Sequence, residues 1–220
     1  MRHFAIELEE LKTKLLQMGG MVEAAVHRSV RAVVERDEEL AKKVKDGEAA
    51  IDKMELEIDA LATKLLVLQQ PVARDLRFLT SVLKINTDLE RMGDLAENLA
   101  SRAQSLAKLP VLKLNLDIPH MSSLVESMLL KSLDAFLRED ADLANEVLAS
   151  DDEVDLLRRE GYGEIVAHMQ KNPADVQAGV ELIFVVRNLE RLGDHATNMA
   201  EDVIYMAKGI DVRHHANNTA

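Results

Sequence analysis

The segment LERMGDLAENLA at residues 89–100 returns as LERLGDHATNMA at 189–200, displaced by 100 residues and identical at eight of twelve positions. No other feature constrains the fold as much, because whatever unit the first half builds has to be built again by the second. The front parts of the halves align at a displacement of 103: MGGMVE at 18–23 corresponds to MSSLVE at 121–126, and Asp37, Leu40, Ala41 and Val44 match Asp140, Leu143, Ala144 and Val147. The change of displacement falls between about 60 and 75, so the second copy is three residues shorter near its last turn. Length differences of this kind belong in turns.

The repeated unit reads as helical. Four Pro, nine Gly and 3% aromatic residues in 220 leave little of the β-branched and aromatic clustering of a sheet. Leu8, Leu11, Leu15, Met18, Val22, Ala25 and Val33 recur at intervals of three and four, predicting an amphipathic helix over about 5–36. Asp37 caps a second over 38–69, with Ile51, Met54, Ile58, Leu61 and Leu65 inward, ending at Gln70-Pro71; a third runs over 72–108. The second half gives 119–138, 140–171 and 174–208, with Asn172-Pro173 at the last turn.

Between the halves, LPVLKLNLDIPH at 109–120 alternates apolar and polar residues between two prolines and reads as a linker. The expected organisation is a three-helix unit at 1–108, a linker at 109–118, a second three-helix unit at 119–210 and a tail at 211–220. Helices of about 30 residues are roughly 45 Å long, which favours an all-α fold of elongated antiparallel three-helix bundles. Whether the bundles join end to end, lie side by side or merge their cores is left open by the pattern.

Charge and composition exclude several classes. With 27 Lys and Arg against 39 Asp and Glu, the net charge of -12 repels phosphate backbones, so nucleic acid is not an expected partner. Zero cysteine rules out disulfides and thiolate metal sites. The start MRHFAIELEE has acids where a secretory signal needs an apolar run, and the longest aliphatic or aromatic stretch is Leu182 to Val186, so no transmembrane segment is expected and a cytoplasmic location is.

The repeated segment carries Glu90 with Asp94 and Glu190 with Asp194, pairs four apart that share one helix face. The second helix of each half carries Glu48 with Asp52 and Asp151 with Asp155 at matching positions, and Glu55 and Asp59 extend the first of these stripes. Carboxylates from adjacent helices converging on one spot would suit oxygen-liking cations; a solvated acidic face is the plainer alternative. Gly93 and Gly193 lie at the edge of the apolar sector, and a mid-helix glycine costs about 1 kcal/mol relative to alanine, which points to close approach of a neighbouring helix.

Other candidates are weaker. Glu23 with His27 and Glu164 with His168 have i to i+4 spacing, whereas di-iron carboxylate bundles use Glu-x-x-His, absent here. His195, His214 and His215 read as surface histidines, and the ten Met as core filling. No phosphate loop, nucleophile elbow or Ser-His-Asp set occurs in plausible context, so the chain is not expected to be an enzyme.

On LERMGD, LERLGD, LQQPVARDLRFL at 68–79, MGGMVE and AKGIDVRH at 207–214, the chain closely resembles the PhoU family of bacterial phosphate-signalling proteins over nearly its whole length. The resemblance implies two tandem three-helix bundles with paired E/D-x-x-x-D motifs, through which some members bind metal clusters. It carries metal ligation onto Glu48, Asp52, Glu90, Asp94, Asp151, Asp155, Glu190 and Asp194, with Asn98 and Asn198 as lesser candidates. The ions implied are divalent or trivalent, Fe, Zn, Mn or Mg. The sequence departs from symmetry where Glu55 and Asp59 meet Arg158 and Tyr162 in the second half.

The resemblance further implies a negative regulator of the phosphate-starvation response. Its partners would be the ATPase subunit of the phosphate ABC transporter and a phosphate sensor histidine kinase; it would be a homodimer, recruited from the cytoplasm to membrane complexes. Two rival readings stand beside it, a carboxylate-bridged metalloenzyme and a plain helical scaffold without bound metal.

Overall fold

The computed structural model describes residues 2–213, and His214 and His215 lie outside the described residues. Six α-helices account for nearly all of it: α1 Arg2–Glu35, α2 Glu38–Gln69, α3 Ala73–Ala107, α4 Ile118–Arg138, α5 Ala141–Lys171 and α6 Val176–Lys208, with a 3-10 turn at Pro173–Asp175. No strand occurs among the described residues. The expected helices are all present, with ends moved by a few residues; α4 opens at Ile118 because Asp117 accepts a hydrogen bond from the His120 amide at 3.0 Å.

The duplication extends to the caps. Asp37 accepts from the amides of Glu39 and Leu40, both at 2.9 Å, and Asp140 accepts from those of Asp142 and Leu143 at 2.9 and 3.0 Å. Each therefore satisfies amides that the helix itself leaves without acceptors. Arg36, at φ 54°, ends α1 and reaches across to donate to the carbonyls of Leu106 and Leu109 at the end of α3, tying one turn to another.

Helices α1–α3 form one bundle and α4–α6 a second, and the two lie side by side with α3 packed on α6 and α1 on α4. Contacts along the α3–α6 seam run in opposite directions: Ser81 Oγ donates to the Asp202 carbonyl, Asp88 meets His195, and Arg102 meets Glu181. The helices are therefore antiparallel, and residue 81 faces 202 while its copy 181 faces 102. Two ion pairs bracket the seam, Lys84 with Asp202 at 2.7 Å and Arg102 with Glu181 at 3.0 Å. The buried apolar residues of all six helices form one contiguous core, which settles how the halves meet.

The linker is a strap laid on that core. Leu112, Leu114 and Leu116 pack against the buried residues, which accounts for the alternation in the sequence. Gly161 makes room for it: a Cβ there would come within 3.3 Å of Leu116 Cδ2, and the first half has Ile58 at the matching position.

Phe136 of α4 is fully buried and stacks on Phe78 of α3 with ring centroids 5.8 Å apart, joining the two bundles. Phe136→Ala is expected to destabilise the protein by about 3 to 5 kcal/mol. Because the core is shared, urea unfolding followed by circular dichroism should remain a single transition with its midpoint lowered. Two separated transitions in the unsubstituted protein would show that the bundles fold independently.

Candidate metal centres

Each acidic stripe lies where two antiparallel helices of one bundle meet, and a glycine brings them together. A Cβ on Gly93 would lie 3.3 Å from Ile51 Cγ2 of α2, and one on Gly193 would lie 3.5 Å from Val154 Cγ1 and 3.6 Å from Asp151 Oδ1 of α5. The close approach expected from the mid-helix glycines is therefore tight at Gly93, while at Gly193 a Cβ would make only ordinary contact; in both copies the carboxylates of one helix stand beside those of the other.

In the first half, burial raises the Glu48 carboxyl to about 7, helped by Glu97 through charge and a shared hydrogen bond and then by Asp52 and Asp94. Glu90 is raised by burial and by Asp94, with Arg91 opposing and Glu55 and Asp52 adding. Glu48, Asp52 and Glu55 descend α2 while Glu97, Asp94 and Glu90 run the other way on α3, so six carboxylates form a two-sided ladder. Among the described residues the cation paired with it is Arg91, mostly exposed, 3.4 Å from both Glu90 and Asp94.

In the second half, burial raises Asp151 to about 6, with Asp194, Asp155 and Asp152 adding. Asp194 is likewise raised, by burial and then by Glu190 and Asp155, although His195 and Arg191 oppose. Here the ladder carries its own cation. Arg158, in the place of Glu55, lies 3.1 Å from Glu190 and 3.4 Å from Asp155, and its guanidinium stands over the Tyr162 ring. Thr197 replaces Glu97, so four carboxylates remain.

All eight carboxylates expected from the sequence thus fall into two groups of four. Two participants went unread. Glu97 lies on the face of Glu90 and Asp94, seven and three residues on, but the copy has Thr197 and the repeat therefore hides it. Arg158 stands out in the sequence as a departure from symmetry, and only the fold makes it a built-in counter-ion. Asn98 is exposed, and Asn198 turns instead to Asp88, with Nδ2 at 3.4 Å.

The histidines differ from expectation. His195 is not a surface residue: its side chain is 16% exposed and Nδ1 lies 2.8 Å from Asp88 in the α3–α6 seam. His27 pairs with Glu126 and His168 with Asp175, rather than with the glutamates four residues before them.

The donor set is all oxygen, which suits hard cations, and the first ladder has more negative charge than its neighbours neutralise. Among the described residues no three or more His, Asp or Glu side chains are arranged as a ready cation site. Partly exposed carboxylates reorient at small cost, so the ladders present ligands near one another without a fixed cage.

Because the folded state raises Glu48 from 4.5 to about 7, its contribution to stability is complete below the unfolded value and is lost as pH rises through about 7. Metal-free protein should therefore lose stability between about pH 5 and pH 8 more steeply than its Glu48→Gln variant. Urea midpoints across that range check this, and parallel curves would remove Glu48 from the ladder.

Comparison with known proteins matches the chain to a family. The PhoU domain model matches residues 15–103 and again 118–203. The phosphate-specific transport system accessory protein PhoU homolog of Pseudomonas aeruginosa is 40% identical over 214 residues, covering 97% of this chain and 88% of that one. Among solved structures, PhoU from Pseudomonas aeruginosa superposes with a TM-score of 0.91 at 39% identity, over 94% of this chain and 100% of that one. The phosphate transport system regulatory protein PhoU from Streptococcus pneumoniae gives 0.88 at 28% identity, over 95% and 99%. With both repeats matched and the whole six-helix architecture shared, the chain belongs to the PhoU family.

Proposed function

We propose that this chain is an accessory regulator of a phosphate transport system. It holds the phosphate-starvation response off when phosphate is plentiful, by coupling the ATPase subunit of the phosphate ABC transporter to a sensor histidine kinase. The observation that carries the reading is the match of both repeats to the PhoU domain, together with relatives named as phosphate-specific transport accessory proteins. A role in binding rather than catalysis agrees with the architecture, whose polar features lie on the outer edges of long helices. None of the described helices is long and apolar enough to cross a membrane; in this reading the chain is recruited to membrane complexes from the cytoplasm by docking. It works as a homodimer.

Metal ions support the docking surfaces in this reading. Glu48, Asp52, Glu90 and Asp94, with Glu55 and Glu97, would hold a divalent or trivalent cation, magnesium, manganese, iron or zinc, whose charge relieves their mutual repulsion. Asp151, Asp155, Glu190 and Asp194 form the second and weaker site, because a cation there has to displace Arg158. Proton loss from Glu48 accompanies binding, so affinity at the first ladder rises as pH passes about 7.

Calorimetric titration of the metal-free protein with Mn²⁺ or Zn²⁺ should resolve a tighter and a weaker site. At a hundredfold excess over Kd the tighter site stabilises the fold by about 2.7 kcal/mol. Asp52→Asn with Asp94→Asn should abolish it, whereas Arg158→Glu should tighten the second site at least tenfold. Equal sites, or no binding, would oppose the metal reading.

Deletion of the gene in the source bacterium tests the regulatory role separately. Alkaline phosphatase should become constitutive in phosphate-rich medium and be repressed again by the intact gene on a plasmid. Unchanged repression in a strain without a second copy would contradict the proposal.

A further inference from the structure

The outer helices of each half meet along a groove, α1 with α2 and α4 with α5, and the displacement of 103 pairs their residues one to one. The second half bridges its groove with polar contacts: Lys131 Nζ lies 3.0 Å from Glu146 in an ion pair, and His120 Nε2 lies within hydrogen-bond distance, 3.2 Å, of Glu153. At the matching positions the first half has Arg28 with Lys43, and Gln17 with Ala50. Neither pair can bridge. Arg28 and Lys43 are exposed, and neither has a hydrogen bond or ion pair among the described residues.

The first groove is also emptied of side chains. Gly20 and Gly47 stand where the second half has Ser123 and Ser150, and a Cβ at either glycine would meet nothing within 4 Å. What results is an open trough of about 570 Å³ with a floor of Met21, Ala25, Val44, Ile51 and Met54.

We propose that this trough is a docking site for an amphipathic helix of a partner protein, one that lays small apolar residues on the floor and carboxylates against Arg28 and Lys43. Glycine and alanine along the walls let a helix backbone approach closely, the usual geometry of helix-in-groove recognition. Two unpaired cations facing each other are unfavourable in the free protein and become favourable once an anionic group lies between them. In a chain of net charge -12 they form a local exception to a repulsive field, so they select where an acidic helix settles.

Other occupants fit less well. A bilayer engages convex amphipathic surfaces, and this site is concave. A symmetric second copy would set the same two cations against themselves across the axis. The inference concerns the groove alone and is independent of whether the partner is a transporter ATPase or a kinase, and of metal at the carboxylate ladders.

The second half supplies the controls. A photo-crosslinking amino acid placed at position 47 of the full chain in the source cell should capture a protein segment. Mass spectrometry should map it to residues with helical apolar spacing and flanking Asp or Glu. Placed at position 150, it should capture only background. Lys43→Glu installs the second half's residue opposite Arg28, and should lower the yield at position 47 at least tenfold with circular dichroism and melting temperature unchanged. Gly20→Leu, which fills the trough without altering charge, should do the same. Capture of a second copy, of lipid, of a segment without acids or of nothing at position 47 would overturn the proposal, and so would a yield indifferent to both substitutions.

Discussion

Helix α3 lies against α1, α2 and α6 at once, and α6 against α3, α4 and α5, so the two copies of the repeated segment are surrounded on most sides. Leu89, Met92, Ala96, Leu99 and their copies must therefore be apolar, and only a narrow edge of each helix is left for polar groups. That edge faces α2 or α5 across a glycine. Acids on that edge and on the helix facing it are partly buried and close together, and burial first, then their mutual repulsion, raises the carboxyls of Glu48, Glu90, Asp151 and Asp194. Packing of the centre thus dictates crowding at the rim.

The duplication supplies an internal control for each surface. The same ladder has six carboxylates in one half, and four with a bridging arginine in the other. The same outer groove has two opposed cations in one half, and an ion pair and a histidine–glutamate contact in the other. In both cases the second half compensates more of its own charge, and the first half is left with more charge that its own neighbours do not satisfy. Since α2 meets α3 and α5 meets α6 in the same way, these differences follow from which side chains stand at matching positions. They locate the unsatisfied surfaces of the molecule on α1, α2 and the outer edge of α3.

Much of this was legible in the sequence because helices announce themselves through spacing and caps. Leu8 to Val33, Asp37 and Asp140 mark helices and their starts without reference to anything distant. The mid-helix glycines also carried their message, since only close packing offsets their cost. What could not be read was anything set by how the halves meet. The Asp88–His195 pair joins residues 107 apart across the seam, and nothing local to His195 distinguishes it from a surface histidine. The alternation in the linker was visible, but its meaning depends on Gly161, which leaves space for Leu116. Glu97 escaped for a different reason: a reading guided by repetition discards what is not repeated.

The most direct test of the carboxylate ladder is crystallographic. Crystals of the full chain grown with Mn²⁺ at neutral pH and measured near the manganese absorption edge should show anomalous density between α2 and α3, within coordination distance of Asp52 and Asp94, stronger than any density between α5 and α6. Density confined to the second half, or absent from both ladders while the protein remains folded, would contradict the account.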